Sequence, residues 1–168
     1  MKNKFGFILV KPQLGENIGA CARSMKNFGF SKLHIFSPKI NFPNHKAKAT
    51  SVGAFNIINK AKVFLTTKEA INDFDIVISL SARKRDINKK HISLKNFTEM
   101  VRSKKNINFG FMFGPEASGL SNEDLSLTNY VLQIPTAPNF KSLNLSHSLT
   151  IICYELFKII KENLFKKN

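Results

Sequence analysis

Short apolar runs alternate along this chain with stretches in which apolar residues recur every three to four positions. The runs predict buried β-strands at residues 5–10, 32–36, 61–65, 75–80, 108–113 and 130–134. The stretches between them predict helices over about 18–28, 44–58, 67–72, 93–101 and 144–164, with a short helix after Ser121. Strands that alternate with helices predict an α/β fold, a mostly parallel sheet flanked by helices.

Several of the predicted helices carry polar residues at their ends that favour a start or a stop. Asn17, Thr67 and Ser93 are expected helix caps, and Ser121 with Asp124 fits a capping box. Gly29 is expected to end the first helix, and Gly53 weakens the continuity of the helix over 44–58. The last helix has too wide an apolar face for solvent, so it must pack on the core or on a second subunit. With no internal repeat or linker, residues 1–168 are expected to form one domain.

Three polar and glycine-containing motifs each follow a predicted strand. They are GENIGACARSMKNFGF at 15–30, FGPEASGL at 113–120 and IPTAPNFKSLNLS at 134–146. Open α/β sheets bind ligands at the carboxyl ends of their strands. The motifs are therefore expected to build one composite site.

The net charge of +15 favours a polyanionic partner, with nucleic acid ahead of an anionic membrane, although a lysine-rich codon bias explains part of it. Only four arginines occur among 26 basic residues, which suggests that each arginine serves a planar, forked contact. Residues 81–105 carry nine basic and two acidic side chains. From these observations we expect RNA contacts at Arg23, Arg83, Arg85, Lys89 and Lys90.

Other chemistries find no support in the sequence. It contains no G-x-G-x-x-G or P-loop motif, no nucleophile elbow and no metal-ligand spacing, so no metal is expected. Cys21 and Cys153 make no disulfide framework, and no apolar run would serve as a signal peptide or a membrane span. The expected compartment is the cytoplasm, with both thiols reduced.

Taken together and in order, the three motifs resemble those of the SpoU/TrmH branch of the SPOUT RNA methyltransferases. The first resembles N-x-G-x-x-x-R followed by F-G, matched by Asn17, Gly19, Arg23 and 28–29. The second resembles F-G-x-E-x-x-G-L, and the third resembles I-P followed by S-L-N at 142–144. The resemblance extends over essentially the whole chain.

This resemblance implies a SPOUT fold with a deep trefoil knot in its C-terminal half, and a homodimer whose active site combines both subunits. It implies S-adenosylmethionine bound near Leu80, Ser81, Ala82, Gly114, Ile134, Lys141, Ser142 and Leu143. It also implies a catalytic set of Asn17, Arg23, Glu116, Ser142 and Asn144. The implied reaction transfers a methyl group to a ribose 2′-hydroxyl of RNA.

Within the family the chain is most similar to members that methylate the first nucleotide of the tRNA anticodon loop, a cytidine or uridine. The segment SARKR at 81–85 and Tyr154-Glu155 support this, whereas Pro115 and Ala137 depart from the usual pattern. Such members commonly have a C-terminal extension, which is not seen after Asn168. Methylation of the tRNA wobble position or of rRNA is the alternative, and a non-catalytic RNA-binding dimer is the alternative of another class.

Overall fold

The computed structural model describes residues 4–82 and 88–165, with residues 163–165 described by their backbone alone. Its strands are β1 (Phe5–Val10), β2 (Lys32–Phe36), β3 (Lys62–Phe64), β4 (Ile76–Leu80), β5 (Lys90–Ile92), β6 (Phe109–Phe113) and β7 (Tyr130–Leu132). Its helices are α1 (Gly15–Asn27), α2 (His45–Ser51), α3 (Phe55–Lys60), α4 (Thr67–Ile71), α5 (Leu94–Ser103), α6 (Asn122–Ser126) and α7 (Leu145–Phe165).

The seven strands form one parallel sheet in the order β3-β2-β1-β6-β4-β7-β5. Every residue of the central strands β1 and β6 is buried, as expected for a parallel sheet covered on both faces. The larger core cluster joins one face to α1, α2, α3, α5 and α7, and the smaller joins the other face to α4 and α6. The α/β fold with a parallel sheet flanked by helices is thus confirmed. The trefoil knot and the single domain stay predictions.

Helices α1 and α2 cross at very short distance. A Cβ atom placed on Gly19 would lie 2.3 Å from the carbonyl oxygen of Ala47 and 2.9 Å from the amide nitrogen of Ser51. Real Cβ atoms do not approach backbone that closely, so only glycine permits this crossing. Gly19 therefore fixes α2 against the helix that carries the first motif.

Several predicted boundaries differ from the structure. The prediction of one helix over 44–58 is wrong, because the chain turns at Val52 and Gly53, both with positive φ, and α3 begins after Ala54. Thr66 rather than Thr67 caps α4, through a capping box with Glu69. Strand β5 at Lys90–Ile92 is not among the strands predicted from the sequence.

The three motifs meet at the carboxyl edge of the sheet. The first follows β1, the second begins at the end of β6, and the third connects β7 to α7. Because all strands are parallel, these ends lie on one side of the molecule. Among the residues described, none of the helices is both long and apolar enough to cross a bilayer.

Candidate active site

A cavity of about 170 Å³ opens at this carboxyl edge. Three loops, those after β4, β6 and β7, enclose it together with the start of α7. It is lined by residues 80–82, 113–120, 132, 134, 141–143, 145 and 148. All eight residues expected to bind a cofactor are among them, namely Leu80, Ser81, Ala82, Gly114, Ile134, Lys141, Ser142 and Leu143. That they bind a cofactor stays a prediction.

The wall formed by the second motif requires glycine at Gly114. A Cβ atom there would lie 2.3 Å from the amide nitrogen of Leu120 and 2.4 Å from the carbonyl carbon of Gly119. Gly119 itself has a φ of 69°, in the left-handed region, and its N–H donates to the carbonyl of Pro115 at 2.8 Å. The loop therefore folds back on itself and presents main-chain groups to the cavity.

A chain of hydrogen bonds joins all three motifs beside the cavity. Asn17 Nδ2 donates to Glu116 Oε1 at 3.0 Å, and Asn144 Nδ2 donates to Asn17 Oδ1 at 3.1 Å. The backbone N–H and the Oγ–H of Ser146 then both donate to Asn144 Oδ1, at 2.8 and 2.7 Å. We refer to Glu116, Asn17, Asn144 and Ser146 as the amide relay.

The two ends of the amide relay fix the orientation of both carboxamides. An ionised carboxylate only accepts hydrogen bonds, so Glu116 requires the NH₂ group of Asn17 to face it. A backbone N–H only donates, so Ser146 requires the oxygen of Asn144. Each carboxamide keeps one N–H that no other described residue accepts, and both remain able to donate toward a substrate.

Glu116 also holds the start of α1. Its Oε2 accepts the N–H of Gln13 at 2.8 Å, and its Oε1 accepts the N–H of Leu14 at 3.1 Å. In return, Gln13 Oε1 accepts the N–H of Ala117 at 2.9 Å. Asn17 is therefore not the helix cap that the sequence predicted, since α1 begins at Gly15 with Leu14 in the cap position. A carboxylate from a loop 99 residues away provides the acceptor and suits the positive end of the helix.

Asn144 and Ser142 occupy different places in the third motif. Asn144 directly precedes α7 and accepts from Ser146, so its capping role is confirmed in the same geometry that places it in the amide relay. Ser142 is exposed and lines the cavity. The structure thus brings Asn17, Glu116, Ser142 and Asn144 to one side of the cavity.

Within one chain, Arg23 does not lie beside the cavity with the other four residues of the expected catalytic set. It is exposed on α1, about 9 Å along the helix axis from Asn17, and it is not among the residues that line the cavity. Its guanidinium makes no hydrogen bond or ion pair with the described residues of its own chain. It is therefore available to a group from outside this chain.

The four other residues expected to contact RNA are not seen at the cavity. Two of them do not line it, and the other two are not among the described residues. Lys90 begins β5 and pairs with Tyr130, level with Ile78 in the middle of β4, and neither Lys89 nor Lys90 lines the cavity. Lys89 Nζ donates to the carbonyl oxygen of Thr128 at 2.7 Å. Arg83 and Arg85 lie outside the described residues. That these lysines and arginines contact RNA stays a prediction.

Two residues of the site were not predicted from the sequence. Ser146 completes the amide relay, and Gln13 ties the loop after β1 to the loop after β6. Ser146 stands in the third motif, where a hydroxyl two residues after an asparagine is a local signal for such a bond. Gln13 gives no signal, because its partner is 104 residues away.

Thiol and metal chemistry find no support at the site. Burial raises the pKa of Cys21 and of Cys153 far above the ordinary thiol value, so neither is a ready nucleophile. Within residues 4–82 and 88–165, no three His, Cys, Asp or Glu side chains are grouped so that they could hold a metal ion.

Known proteins resemble this chain over most of its length. It is 37% identical to the tRNA (cytidine-2′-O-)-methyltransferase TrmJ of Methanocaldococcus jannaschii over 161 residues, which covers 94% of this chain and 69% of that protein. It is 34% identical to the tRNA (cytidine/uridine/adenosine-2′-O-)-methyltransferase TrmJ of Pseudomonas aeruginosa, covering 93% of this chain and 61% of that one.

Solved structures share its fold. The crystal structure of TrmJ from Z. mobilis ZM4 superposes with a TM-score of 0.86 at 36% identity, over 92% of this chain and 69% of that one. The SpoU methyltransferase AviRb of Streptomyces viridochromogenes, solved in complex with AdoMet, has a TM-score of 0.72 at 20% identity, over 94% and 58% of the two chains. AviRb supports the fold alone. The model of the SpoU rRNA Methylase family matches residues 4–154, and the chain belongs to this family.

Proposed function

We propose that the protein is an S-adenosylmethionine-dependent tRNA ribose 2′-O-methyltransferase that acts on a cytidine or uridine at the first position of the anticodon loop. The observation that carries this proposal is the amide relay, which joins the three motifs beside the cavity. The TrmJ relatives, named for this type of reaction on tRNA, support the substrate class. The net charge of +15 supports an RNA substrate.

The cavity suits the proposed cofactor. Leu80, Ile134 and Leu143 offer apolar contact for a planar base, and the main chain of the loops after β4 and β6 offers hydrogen bonds. The close backbone approach at Gly114 leaves the cradle free of a side chain. When bound, S-adenosylmethionine supplies an electrophilic methyl group on a sulfonium. No metal ion is needed for this transfer.

Glu116 is assigned a positioning role. Both of its oxygens accept hydrogen bonds, from Gln13, Leu14 and Asn17, so they are already engaged and poorly placed to remove a proton from the ribose. The two carboxamides of the amide relay are held with one free N–H each. We assign them to hydrogen bonds with the RNA that place the 2′-hydroxyl for in-line transfer.

Arg23 is proposed to bind the phosphate next to the reactive ribose and to polarise its 2′-hydroxyl. An arginine side chain remains charged near neutral pH and offers a planar fork that suits phosphate. Because Arg23 lies outside the cavity of its own chain, we propose that it serves the cavity of a second copy. Phe28, Tyr154 and Phe157 form a half-exposed aromatic cluster on α1 and α7 that suits the contact between the copies.

Methyl transfer from labelled S-adenosylmethionine to unmodified tRNA tests the function. We expect transfer to one ribose, mapped by resistance of that linkage to alkaline hydrolysis, and at least a hundredfold loss in Asn144→Ala, by the size of such polar contacts in transition states. Asn56→Ala, an exposed asparagine on α3, is the matched control and is expected to keep full activity. A methyl at the wobble position or in rRNA would favour the alternative substrates. No transfer and no binding of S-adenosylmethionine in calorimetry would favour the RNA-binding dimer.

Mixing two inactive variants tests the position of Arg23. If Arg23 acts across subunits, Arg23→Ala mixed with Asn144→Ala restores about a quarter of wild-type activity, because half of the dimers are mixed and each has one intact site. A mixture as inactive as its components would place Arg23 at its own cavity. Arg23→Lys with near-wild-type turnover would show that the forked geometry is not needed.

A further inference from the structure

We propose that Phe140 is an RNA-contacting residue that stacks on an unpaired base at the rim of the cavity. Its ring is 80% exposed, and it is the one exposed phenylalanine among those whose side chains the structure describes. This inference rests on the proposed function, since it concerns the substrate of the same site.

The backbone presents Phe140 on a built turn. The N–H of Phe140 donates to the carbonyl of Ala137 at 3.1 Å, with Pro138 and Asn139 at the two central positions. Proline sets the backbone angle of the first central residue in advance, and asparagine suits the second. The backbone that carries the exposed ring is thus formed before any ligand arrives, which lowers the backbone entropy lost on binding.

The position of the ring indicates which part of the substrate it would contact. The three residues that follow it, 141–143, line the cavity, whereas Phe140 does not. The ring therefore stands outside the space proposed for the cofactor, two residues from Ser142. A ribose that reaches the cavity brings its base, or that of its neighbour, to this rim. Single-stranded bases in RNA loops are commonly bound by stacking on aromatic side chains.

The surroundings favour a base over a protein surface. Residues 137–142 are all exposed, and Phe140 is the one large apolar side chain among them, next to the cation of Lys141. A protein interface requires a contiguous apolar core, whereas stacking requires one flat ring with positive charge nearby. The aromatic cluster of Phe28, Tyr154 and Phe157, on α1 and α7, is the surface that fits a second copy.

Four variants separate an aromatic contact from a generic apolar one. Phe140→Ala is expected to weaken the affinity for a synthetic anticodon stem-loop RNA by about 5- to 150-fold, the range of one stacked base. Phe140→Leu is expected to lose nearly as much, while Phe140→Tyr stays close to wild type. Leu65→Ala, which removes an apolar side chain that is 87% exposed, is the control and is expected to change nothing, because Leu65 follows β3 at the other end of the strand order from β7 and β5.

Three further readouts distinguish this role from others. With 2-aminopurine placed at successive loop positions, one position is expected to be quenched by wild type and not by Phe140→Leu. The affinity for S-adenosylmethionine in calorimetry and the sedimentation coefficient are expected to stay unchanged in every variant. Wild-type affinity in Phe140→Leu, a weaker cofactor affinity, or dissociation into single copies would each overturn the proposal.

The same experiment separates this inference from the proposed function. If wild type transfers methyl groups to RNA and Phe140→Ala binds and methylates equally well, the stacking role fails and the function stands. If wild type binds the stem-loop through Phe140 but transfers no methyl group, the function fails and the stacking role stands.

Discussion

Replacing Asn17 with aspartate tests the amide relay, because it changes one donor into a charge without changing the shape. In Asn17→Asp a carboxylate oxygen takes the place of Nδ2, about 3 Å from Glu116 Oε1. Two unit charges at this distance repel by about 5 kcal/mol at an effective dielectric constant of about 20. Asn17 is only 8% exposed, so solvent relieves little of this repulsion.

The variant escapes part of this cost by keeping a proton on the new carboxyl group. Holding a carboxyl with an ordinary pKa of about 3.9 protonated at about pH 7 costs about 4 kcal/mol, less than the repulsion, so protonation sets the limit. A negative group near the start of α1 regains up to about 1 kcal/mol while it is charged. The protonated form does not have this gain, and both forms cost about the same, so the expected loss in the free energy of unfolding is about 4 kcal/mol near pH 7.

The dependence on pH has a definite sign. The new carboxyl group has a higher pKa in the folded state than in the unfolded state, so its cost is absent at low pH and grows as the pH rises. The loss is expected to shrink to about 1.5 kcal/mol near pH 5, by about 1.4 kcal/mol per unit. Urea unfolding followed by circular dichroism at both pH values measures this difference.

Asn17→Ala provides the control. It removes both hydrogen bonds without adding a charge, so it is expected to lose about 1–3 kcal/mol equally at the two pH values. If Asn17→Asp lost the same amount near pH 5 as near pH 7, or no more than Asn17→Ala near pH 7, the geometry of the amide relay would be refuted.

Three further predictions concern the scaffold. Gly19→Ala is expected to lower the free energy of unfolding by about 1–3 kcal/mol even though alanine favours helix, and equal or greater thermal stability would contradict the close crossing. Burial lowers the pKa of His34 despite its hydrogen bond to Ala70, so it stabilises the fold above its unfolded pKa and this contribution is lost as the pH falls. His34→Gln should therefore flatten the decline of stability between about pH 7 and pH 5, and parallel curves for the two proteins would count against it. Cys21 and Cys153 should react with Ellman's reagent only after unfolding, and rapid labelling of the native protein would show that they are accessible.

The long apolar strands could be predicted from the sequence, but the edge strand β5 could not. FGFILV and FGFMF are buried on both faces, and a run of apolar residues is the direct signal for that environment. Strand β5 is KHI, with two exposed polar residues at the edge of the sheet, and only its pairing with β7 makes it a strand. Local pattern carries no information about such a pairing.

The residues of the candidate site likewise divide into those that could be predicted from the sequence and those that could not. The cavity residues could be predicted because parallel strands bring their carboxyl ends together, wherever they stand in the sequence. The prediction that Asn17 caps α1 is wrong because Glu116, distant in sequence, holds the helix start that a local cap was expected to hold. Lys89 and Lys90 do not line the cavity, because one directly precedes β5 and the other begins it.

The amide relay also constrains when the site can form. Its bonds span 99 residues from Asn17 to Glu116 and 127 from Asn17 to Asn144. Such distant segments meet late, because closing long loops costs chain entropy before any contact repays it. During synthesis the first motif must wait for another 127 residues before Asn144 arrives. A competent cavity therefore reports completed folding, and a partly made or partly unfolded chain would not hold RNA unproductively at this site.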